Sequence, residues 1–194
     1  MKRRKNSGLS FSRKKRKNNM KIIKEVLVWM FEITMAVLLA FTFVYFVGLR
    51  TSAVGQSMAE TLYNGDNVLV NRFVYVVSDP KPNDIIVFRP NGNEKSHLYI
   101  KRVIAVPGDE VQIIGGVVYV NGEVFSEAVD VASIEEAGLA SEPIKLGDDE
   151  YFVLGDNRNN SEDSRFANIG NVKKEHIIGK VWFRIASWSE FGFL

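Results

Sequence analysis

The distribution of apolar residues divides the chain into two parts. From Val26 to Leu49 the residues are almost all apolar, and Glu32 is the one charged residue among them. About 20 such residues span a bilayer as a helix, so this stretch predicts a transmembrane helix over residues 26–49. Beyond it, short apolar runs with alternating polar positions are separated by turn residues, which is typical of β-strands. Residues 50–194 therefore predict a β-rich domain.

The alternation predicts individual strands in this second part. They are Asn67–Val77, Asp84–Phe88, Tyr99–Val106, Glu110–Ile114, Val117–Val120, Glu123–Phe125, Tyr151–Leu154 and Ile177–Ile185. Gly115-Gly116 and Asn121-Gly122 are typical two-residue turns, and they predict consecutive hairpins. The segment Ala132–Glu142 predicts either a short helix or an irregular excursion. The fold class is thus mainly β, with one N-terminal transmembrane helix followed by a largely antiparallel β domain.

Charge adds an asymmetry to this division. Residues 1–24 contain eleven Lys and Arg and no acid, whereas residues 50–194 contain 14 Lys and Arg against 21 Asp and Glu. Basic residues before an apolar span place the N-terminus in the cytoplasm. Residues 1–25 therefore predict a basic cytoplasmic tail, and residues 50–194 an extracytoplasmic domain. The tail is interpreted as a topology signal that contacts anionic lipid, with nucleic-acid binding as the less favoured alternative.

The apolar segment has a second interpretation, as a cleaved signal peptide. The apolar core of a signal peptide has about 7–15 residues, fewer than this segment has, and Thr51-Ser52-Ala53 is the nearest candidate cleavage site. A permanent anchor is favoured. Glu32 is expected near the inner membrane interface, where its charge costs less, and pairing within the membrane is the alternative.

Composition also limits the kinds of site that the chain can build. It has no cysteine, so it can form neither a disulfide nor a thiolate metal site. Its two histidines, His97 and His176, are isolated in the sequence. Both are interpreted as surface residues, and neither a metal nor another cofactor is expected.

The candidate chemistry begins with Ser57, eight positions after Leu49 and therefore close to the predicted membrane surface. A serine needs a base before it can attack a carbonyl. Lys101 lies in an apolar predicted strand, where burial would lower its pKa and allow a neutral amine to act as that base. On local sequence alone, an ordinary loop serine is the safer interpretation of Ser57, and a snorkelling or edge-strand lysine is the alternative interpretation of Lys101.

A polar loop, Gly155–Arg165, supplies groups that would make such a lysine useful. The hydroxyl of Ser161 could orient the amine without adding charge. Asp163 and Arg165 could form an ion pair, which would keep the carboxylate from raising the pKa of the lysine. Arg102, on the other face of the strand from the lysine, is interpreted as structural.

Four segments resemble the four sequence boxes of type I signal peptidases in order and approximate spacing. The segments are Ser57–Leu62, Gly65–Val70, Tyr99–Ile104 with Pro107–Asp109, and Gly155–Arg165. The resemblance covers nearly everything from about residue 25 onward, and the N-terminal anchor is similar to that of the single-anchor, Gram-positive-like members. Four ordered boxes are far more specific than the pair Ser57-Met58 alone.

The resemblance implies a membrane-bound serine endopeptidase, a signal peptidase I. Such an enzyme removes N-terminal signal peptides from exported preproteins, cleaving after small residues at A-x-A-like sites through an acyl-enzyme. Ser57 would be the nucleophile and Lys101 the general base. The implied partners are signal-peptide-bearing preproteins and membrane lipid, with neither nucleic acid nor metal.

The resemblance also assigns the supporting residues. Ser161 would hold the lysine, and Asp163 and Arg165 would support the site. Met58 would help to shape the substrate cleft, and Gly55 belongs to the oxyanion region. Because some members have a serine hydroxyl at the position of Gly55, the oxyanion hole here would rest on backbone N–H groups. The N–H of the nucleophile is expected among them.

One position departs from the family box. Glu60 stands where the family usually has proline, so a rigid turn residue is replaced by a flexible, charged one and the geometry of this loop is expected to differ.

Three alternative functions stay open. A self-cleaving repressor protease would need a DNA-binding N-terminal domain, and a non-enzymatic scaffold would be expected to lose the serine or the lysine. The third is a lipid- or nucleic-acid-binding protein with an incidental β domain.

Overall fold

The computed structural model describes residues 11–185 and 192–194, and the chain divides into two compact units between Val44 and Tyr45. A single helix, α1 (Phe11–Val47), makes up the described part of the first unit. No glycine or proline interrupts its sequence, and it ends immediately before Gly48, a residue type that commonly terminates helices.

The predicted transmembrane segment coincides with α1 over most of its length. Among the described residues, however, no helix combines the length and the apolar character needed to cross a membrane. The predicted end at Leu49 is wrong, because Leu49 already begins the first strand. The basic tail predicted over residues 1–25 lies partly outside the described residues, and residues 11–25 of it are helical.

Antiparallel strands build the second unit. Their bounds are β1 (Leu49–Ser52), β2 (Asn67–Asn71), β3 (Ile85–Phe88), β4 (Tyr99–Ala105), β5 (Glu110–Ile114), β6 (Val117–Val120), β7 (Glu123–Val124), β8 (Ile144–Lys145), β9 (Glu150–Leu154), β10 (Val172–Lys173), β11 (Ile177–Ile185) and β12 (Gly192–Phe193). Short 3₁₀ turns lie at Pro90–Gly92, Gly138–Ser141 and Lys174–His176. The prediction of a mainly antiparallel β fold is confirmed.

The described strands form two sheets. The larger has eight strands in the order β1-β2-β11-β3-β4-β9-β10, with β12 paired to β11, and the smaller has the order β7-β6-β5-β8. The hairpins β5-β6 and β6-β7 occur at the predicted glycine-containing turns, so that prediction is confirmed. The segment Ala132–Glu142 is an irregular excursion except for the 3₁₀ turn Gly138–Ser141.

Strand β4 lies at the centre of the larger sheet, between β3 and β9. Its side chains enter three separate clusters of buried apolar residues: Ile100 belongs to one, Val103 to a second and Ile104 to the third. Both faces of the strand are therefore covered. A polar side chain on β4 must be buried, and it needs a partner.

The predicted strand Asn67–Val77 is wrong beyond Asn71. The side-chain Oδ1 of Asn71 accepts hydrogen bonds from the N–H groups of Phe73 and Val74, at 3.0 and 3.1 Å. Such side-chain bonds compete with a strand ladder, and here they turn the chain into a single-turn helix, α2 (Val74–Val77). The alternating apolar residues of this segment resembled a strand only in pattern.

Candidate active site

Ser57 lies in the irregular segment between β1 and β2, where hydrogen bonds of Ser57 and of the nearby Gly55 fix the backbone. The carbonyl of Ser57 accepts a hydrogen bond from the N–H of Asn157 at 3.1 Å. Two residues earlier, Gly55 has a φ of +87°, a conformation that favours glycine. The N–H of Gly55 donates to Asn64 Oδ1 at 2.9 Å, so that N–H is already used.

A tight turn follows the serine and anchors it to the core. The N–H groups of Thr61 and Leu62 both donate to the Met58 carbonyl, at 3.0 and 2.7 Å. Met58 and Leu62 are buried at 3% and 1% exposure. Within the turn, Glu60 has a φ of +90°, whereas a proline ring fixes φ near −65°. The family's proline does not fit this turn, so the departure at position 60 accompanies a different backbone geometry.

Lys101 reaches the hydroxyl of Ser57 from the middle of β4. Its strand pairs with β3, with Lys101 opposite Ile86, and the residue is 3% exposed. The amine Nζ lies 2.6 Å from Ser57 Oγ and 5.4 Å from the centre of the Tyr99 ring. A strand thus brings the amine, and a turn brings the hydroxyl, to one hydrogen-bonded contact.

Burial decides the charge state of this amine. Burial lowers the pKa of Lys101 from 10.5 to about 8, because the ammonium loses its hydration. The carboxylates of Asp163, Glu162 and Asp156 favour the ammonium and oppose this lowering of the pKa. The Arg165 guanidinium lowers the pKa further. With a pKa of about 8, roughly a tenth of the amine is neutral at pH 7.

Asp163 and Arg165 form the ion pair that the sequence suggested. Both are buried, and the Nε and Nη2 atoms of Arg165 donate to the two carboxylate oxygens at 2.8 and 2.9 Å. The N–H of Gly155 donates to Asp163 Oδ2 at 3.1 Å. Arg165 also donates to the carbonyls of Glu136 and Arg158, at 3.0 and 2.6 Å. The pair therefore connects distant residues of the polar loop to one another, and it connects the loop to the irregular segment Ala132–Glu142.

Ser161 lies beside the reactive pair without the bond to the lysine that was expected. Its Oγ is buried and has no hydrogen-bond partner among the described residues. It packs against Gly155, where an added Cβ would lie 2.2 Å from Ser161 Oγ and 2.4 Å from the Ser57 carbonyl oxygen. Only glycine leaves room for this approach of the polar loop to the serine segment.

Another buried ion pair, which the sequence analysis missed, lies next to the site. Arg102 donates from Nε and Nη2 to both carboxylate oxygens of Asp156, at 2.8 and 2.6 Å. The hydroxyl of Thr61 donates to Asp156 Oδ2 at 2.5 Å. These three residues join the serine turn, β4 and the polar loop. The sequence feature that could have revealed this ion pair is Arg102, because an arginine within an apolar strand needs a buried acceptor.

A cleft of about 650 Å³ is lined by both Ser57 and Lys101. All the residues assigned to the nucleophile, the base, the lysine-orienting group and the cleft line it: Ser57, Lys101, Ser161, Met58 and Gly55. The predicted ion pair of the polar loop is buried outside this lining.

The two histidines have different environments. His97 is exposed and lines the cleft. His176 is half-buried against Gly92, so its interpretation as a surface residue holds only in part. In the ranges 11–185 and 192–194, no three histidine, cysteine or acidic side chains come together in an arrangement suited to a metal ion.

The family of the chain follows from comparison with known proteins. The family model described as signal peptidase, peptidase S26, matches residues 26–188. The chain belongs to this family of serine endopeptidases, and the resemblance seen in the four boxes is confirmed.

Curated relatives support the assignment over most of the chain. The signal peptidase I P of Bacillus subtilis subsp. natto is 36% identical over 176 residues, which are 87% of this chain and 91% of that protein. The signal peptidase IB of Staphylococcus aureus (strain COL) is 34% identical over 185 residues, 87% of this chain and 93% of that protein. A crystal structure of a signal peptidase I from Enterococcus faecalis V583 gives a TM-score of 0.41 at 28% identity, covering 54% of this chain and 98% of that one.

Proposed function

We propose that this protein removes signal peptides from exported preproteins with Ser57 as nucleophile and Lys101 as general base. The observation that carries the proposal is the 2.6 Å contact between Lys101 Nζ and Ser57 Oγ. The amine in this contact is 3% exposed, and burial lowers its pKa to about 8. A base with a pKa near the working pH combines a sizeable neutral fraction with a useful proton affinity.

The reaction has two halves. In the first, neutral Lys101 takes the proton of Ser57 as Oγ bonds to the scissile carbonyl carbon. The ammonium then gives this proton to the leaving nitrogen as the C–N bond breaks, so the mature protein leaves with a free amino terminus. In the second, water attacks the resulting ester while Lys101 takes a proton from it, and the ammonium returns this proton to Ser57 Oγ as the C–O bond to Ser57 breaks. The signal peptide leaves with a new carboxylate.

Two features of the polar loop support this assignment. The buried Oγ of Ser161, which has no hydrogen-bond partner within the part of the chain that the structure describes, lies beside the Ser57 carbonyl, where it is available to hold the amine once substrate orders the cleft. Both carboxylate oxygens of Asp163 accept hydrogen bonds from Arg165. This pairing limits how far the Asp163 carboxylate raises the pKa of Lys101.

The cleavage segment of the preprotein is proposed to bind as an added strand. Residues Tyr99–Lys101 pair with β3 on one edge, whereas the pairing of β4 with β9 begins only at Arg102. The other edge of Tyr99–Lys101 thus has no strand partner among the described residues, and these residues line the cleft. An extended peptide adds readily to such an edge. Met58 and Ile100 offer apolar lining for small side chains, consistent with A-x-A-like sites.

The oxyanion hole is proposed to use the backbone N–H of Ser57. Since the N–H of Gly55 already donates to Asn64 Oδ1, the glycine supports the backbone conformation of this segment rather than the developing charge. A donor on the nucleophile's own backbone is placed by the same turn that places the hydroxyl.

Membrane attachment through residues 26–49 is the last part of the proposal, with a cytoplasmic N-terminus and an extracytoplasmic β domain. Its support is the apolar sequence, the basic residues before it and the exposure of large apolar side chains in α1, including Trp29 and Phe41. Protease treatment of intact spheroplasts tests it. We expect digestion of the β domain from outside and protection of an N-terminal fragment; full protection of the whole chain would contradict this topology.

Cleavage of a preprotein tests the chemistry. Full-length protein in detergent is incubated with a preprotein that carries an A-x-A site, and the products are identified by mass. We expect cleavage after the small residue by the native protein, and an activity loss of at least a thousandfold in Ser57→Ala and Lys101→Ala. The acid limb of the pH profile should lie near pH 8, where Lys101 loses its proton.

Matched controls are Ser126→Ala and Lys95→Ala, which remove an exposed serine and an exposed lysine. Both should retain native activity. Full activity in Lys101→Ala would refute the dyad even if the protein cleaves preproteins. Inactivity of the folded native protein on several preproteins would instead favour the scaffold alternative.

A further inference from the structure

A hydrogen bond joins the two walls of the cleft beside the reactive pair. The hydroxyl of Tyr99, on β4, donates to Glu162 Oε2, on the polar loop, at 3.3 Å. Both residues line the cleft that contains Lys101. The Tyr99 ring is itself held by Phe88, which packs against it edge-on with 6.0 Å between ring centres. The tyrosine therefore holds a carboxylate in the neighbourhood of the lysine amine.

We propose that Glu162, held by the hydroxyl of Tyr99, is a positioning residue that sets the charge balance around Lys101 and thereby the pH range in which the enzyme cuts. This inference rests on the proposed function of Lys101 as the general base.

Glu162 differs from the other carboxylates near the amine in having no cationic partner among the described residues. Asp156 is paired with Arg102, and Asp163 with Arg165, so much of the charge of each acid is compensated where it is buried. Glu162 is exposed, and its hydrogen bond in the described structure comes from the neutral Tyr99. A small number of groups complete the surroundings of the amine. His97, just before β4, also lines the cleft, and β3 contributes only apolar residues.

The carboxylate of Glu162 has two opposing effects on the reaction. It favours the ammonium, so it raises the pKa of Lys101 against the effect of burial. The ammonium is the form that appears when Ser57 loses its proton, so Glu162 assists proton transfer. The same interaction reduces the fraction of neutral amine at acidic pH. The Tyr99 ring acts in the same sense, because its face attracts a cation.

The substitution Glu162→Gln separates these effects. In the full-length protein, we expect the acid limb of kcat/KM to move to lower pH by about half a unit, a size typical of a partly screened carboxylate. That shift corresponds to a gain of about threefold in kcat/KM below the limb, with an equal or lower plateau at high pH. A purely structural role would lower activity at every pH and leave the limb in place.

Three further variants sharpen the test. Tyr99→Phe should shift the limb in the same direction by less, and Tyr99→Phe combined with Glu162→Gln should match Glu162→Gln alone, because the hydroxyl acts through the carboxylate. Glu142→Gln makes the same charge change at an exposed position on the excursion segment, and it should leave the limb unmoved.

Titration of the lysine itself distinguishes failure of this inference from failure of the proposed function. The Nζ resonance of the full-length, ¹⁵N-lysine-labelled protein is followed against pH in detergent, with Lys101→Ala to assign it. A lower midpoint in Glu162→Gln supports the inference even if no preprotein is cut. Cleavage of preproteins with an unmoved midpoint and an unmoved acid limb overturns it and leaves the dyad intact.

Discussion

The two groups at the centre of the site are held by opposite kinds of structure. Lys101 lies on a strand whose place is fixed by regular pairing with its neighbours and by apolar packing on both faces. Ser57 lies on an irregular segment with left-handed conformations at Gly55 and Glu60. Strand pairing and apolar packing position the amine, whereas the hydroxyl depends on contacts with the distant polar loop, such as that to Asn157.

The two sides also differ in what they contribute to stability. On the strand side, burial of the Lys101 amine destabilises the folded state, because the ammonium loses its hydration. On the turn side, the Thr61 hydroxyl donates to the buried carboxylate of Asp156, which is also paired with Arg102 of β4. The comparison therefore predicts that substitution of Lys101 by an apolar residue stabilises the fold and abolishes activity, whereas substitutions in the Asp156 network lower both stability and activity.

The largest expected effect is that of Asp156→Asn. It leaves the buried Arg102 guanidinium without its counter-charge, and breaking a buried pair in this way costs about 3–5 kcal/mol. It also weakens the tie to Thr61, so the serine turn should loosen and kcat should fall. Chemical denaturation and preprotein cleavage by the full-length protein in detergent measure the two effects.

Two matched variants test this explanation. Asp148→Asn removes an exposed carboxylate and should change the unfolding free energy by no more than about 0.5 kcal/mol. Arg102→Met combined with Asp156→Leu replaces both charges by apolar groups and should recover most of the stability. Activity should stay low in the double variant, because the bond to Thr61 is still missing. Native activity there would show that the network is not needed to position Ser57.

The next effect in size is a gain in stability from Lys101→Met. The amine has a pKa of 10.5 when unfolded and about 8 when folded. Below pH 8 both states hold the proton, and the folded state carries the full penalty of a buried ammonium. As pH rises from 8 to 10.5 the folded state loses its proton first, so the penalty disappears. The penalty is about 3 kcal/mol at neutral pH.

Lys101→Met should therefore be inactive and, near pH 7, more stable than the native protein by up to about 3 kcal/mol. The difference should shrink above pH 8 and vanish near pH 10.5. Thermal unfolding of both proteins across this pH range measures it, with the exposed Lys95→Met as the reference. A stability difference that does not change with pH would mean that the amine is not buried as an ammonium.

Local patterns were sufficient to predict much of the fold. The hairpins β5-β6-β7 were predictable because glycine-containing turns encode them within a few residues. The burial of β4 followed from an apolar run of ordinary strand length. The error in the strand predicted from Asn67 arose from one side chain, that of Asn71, whose hydrogen bonds to two N–H groups no hydrophobic pattern reveals.

The site was predictable to the extent that it resembles known sequence boxes. Those boxes supplied the serine, the lysine and the loop ion pair. In the hydrogen-bond network of Thr61, Arg102 and Asp156, Thr61 is 41 positions from Arg102 and 95 positions from Asp156 in sequence. No local sequence rule predicts contacts between residues so far apart. The same holds for the bond between Tyr99 and Glu162, which are 63 positions apart. The sequence motifs therefore identify the candidate residues, whereas their tertiary contacts are visible only in the folded structure.

The smallest expected effect is at Glu60, on the turn side. A side chain with a positive φ costs about 1–2 kcal/mol relative to glycine, and the added flexibility of an unfolded glycine offsets part of this. Glu60→Gly should therefore stabilise the full-length protein by up to about 1 kcal/mol, with activity unchanged within a few-fold. Differential scanning calorimetry should show a rise in Tm of about 2–4 °C.

Glu60→Pro restores the residue usual in the family box, but its ring cannot reach a φ of +90°, so we expect it to lose both stability and activity. A proline variant as stable and active as the native protein would show that the serine turn is set by the polar loop around it and not by its own backbone conformation.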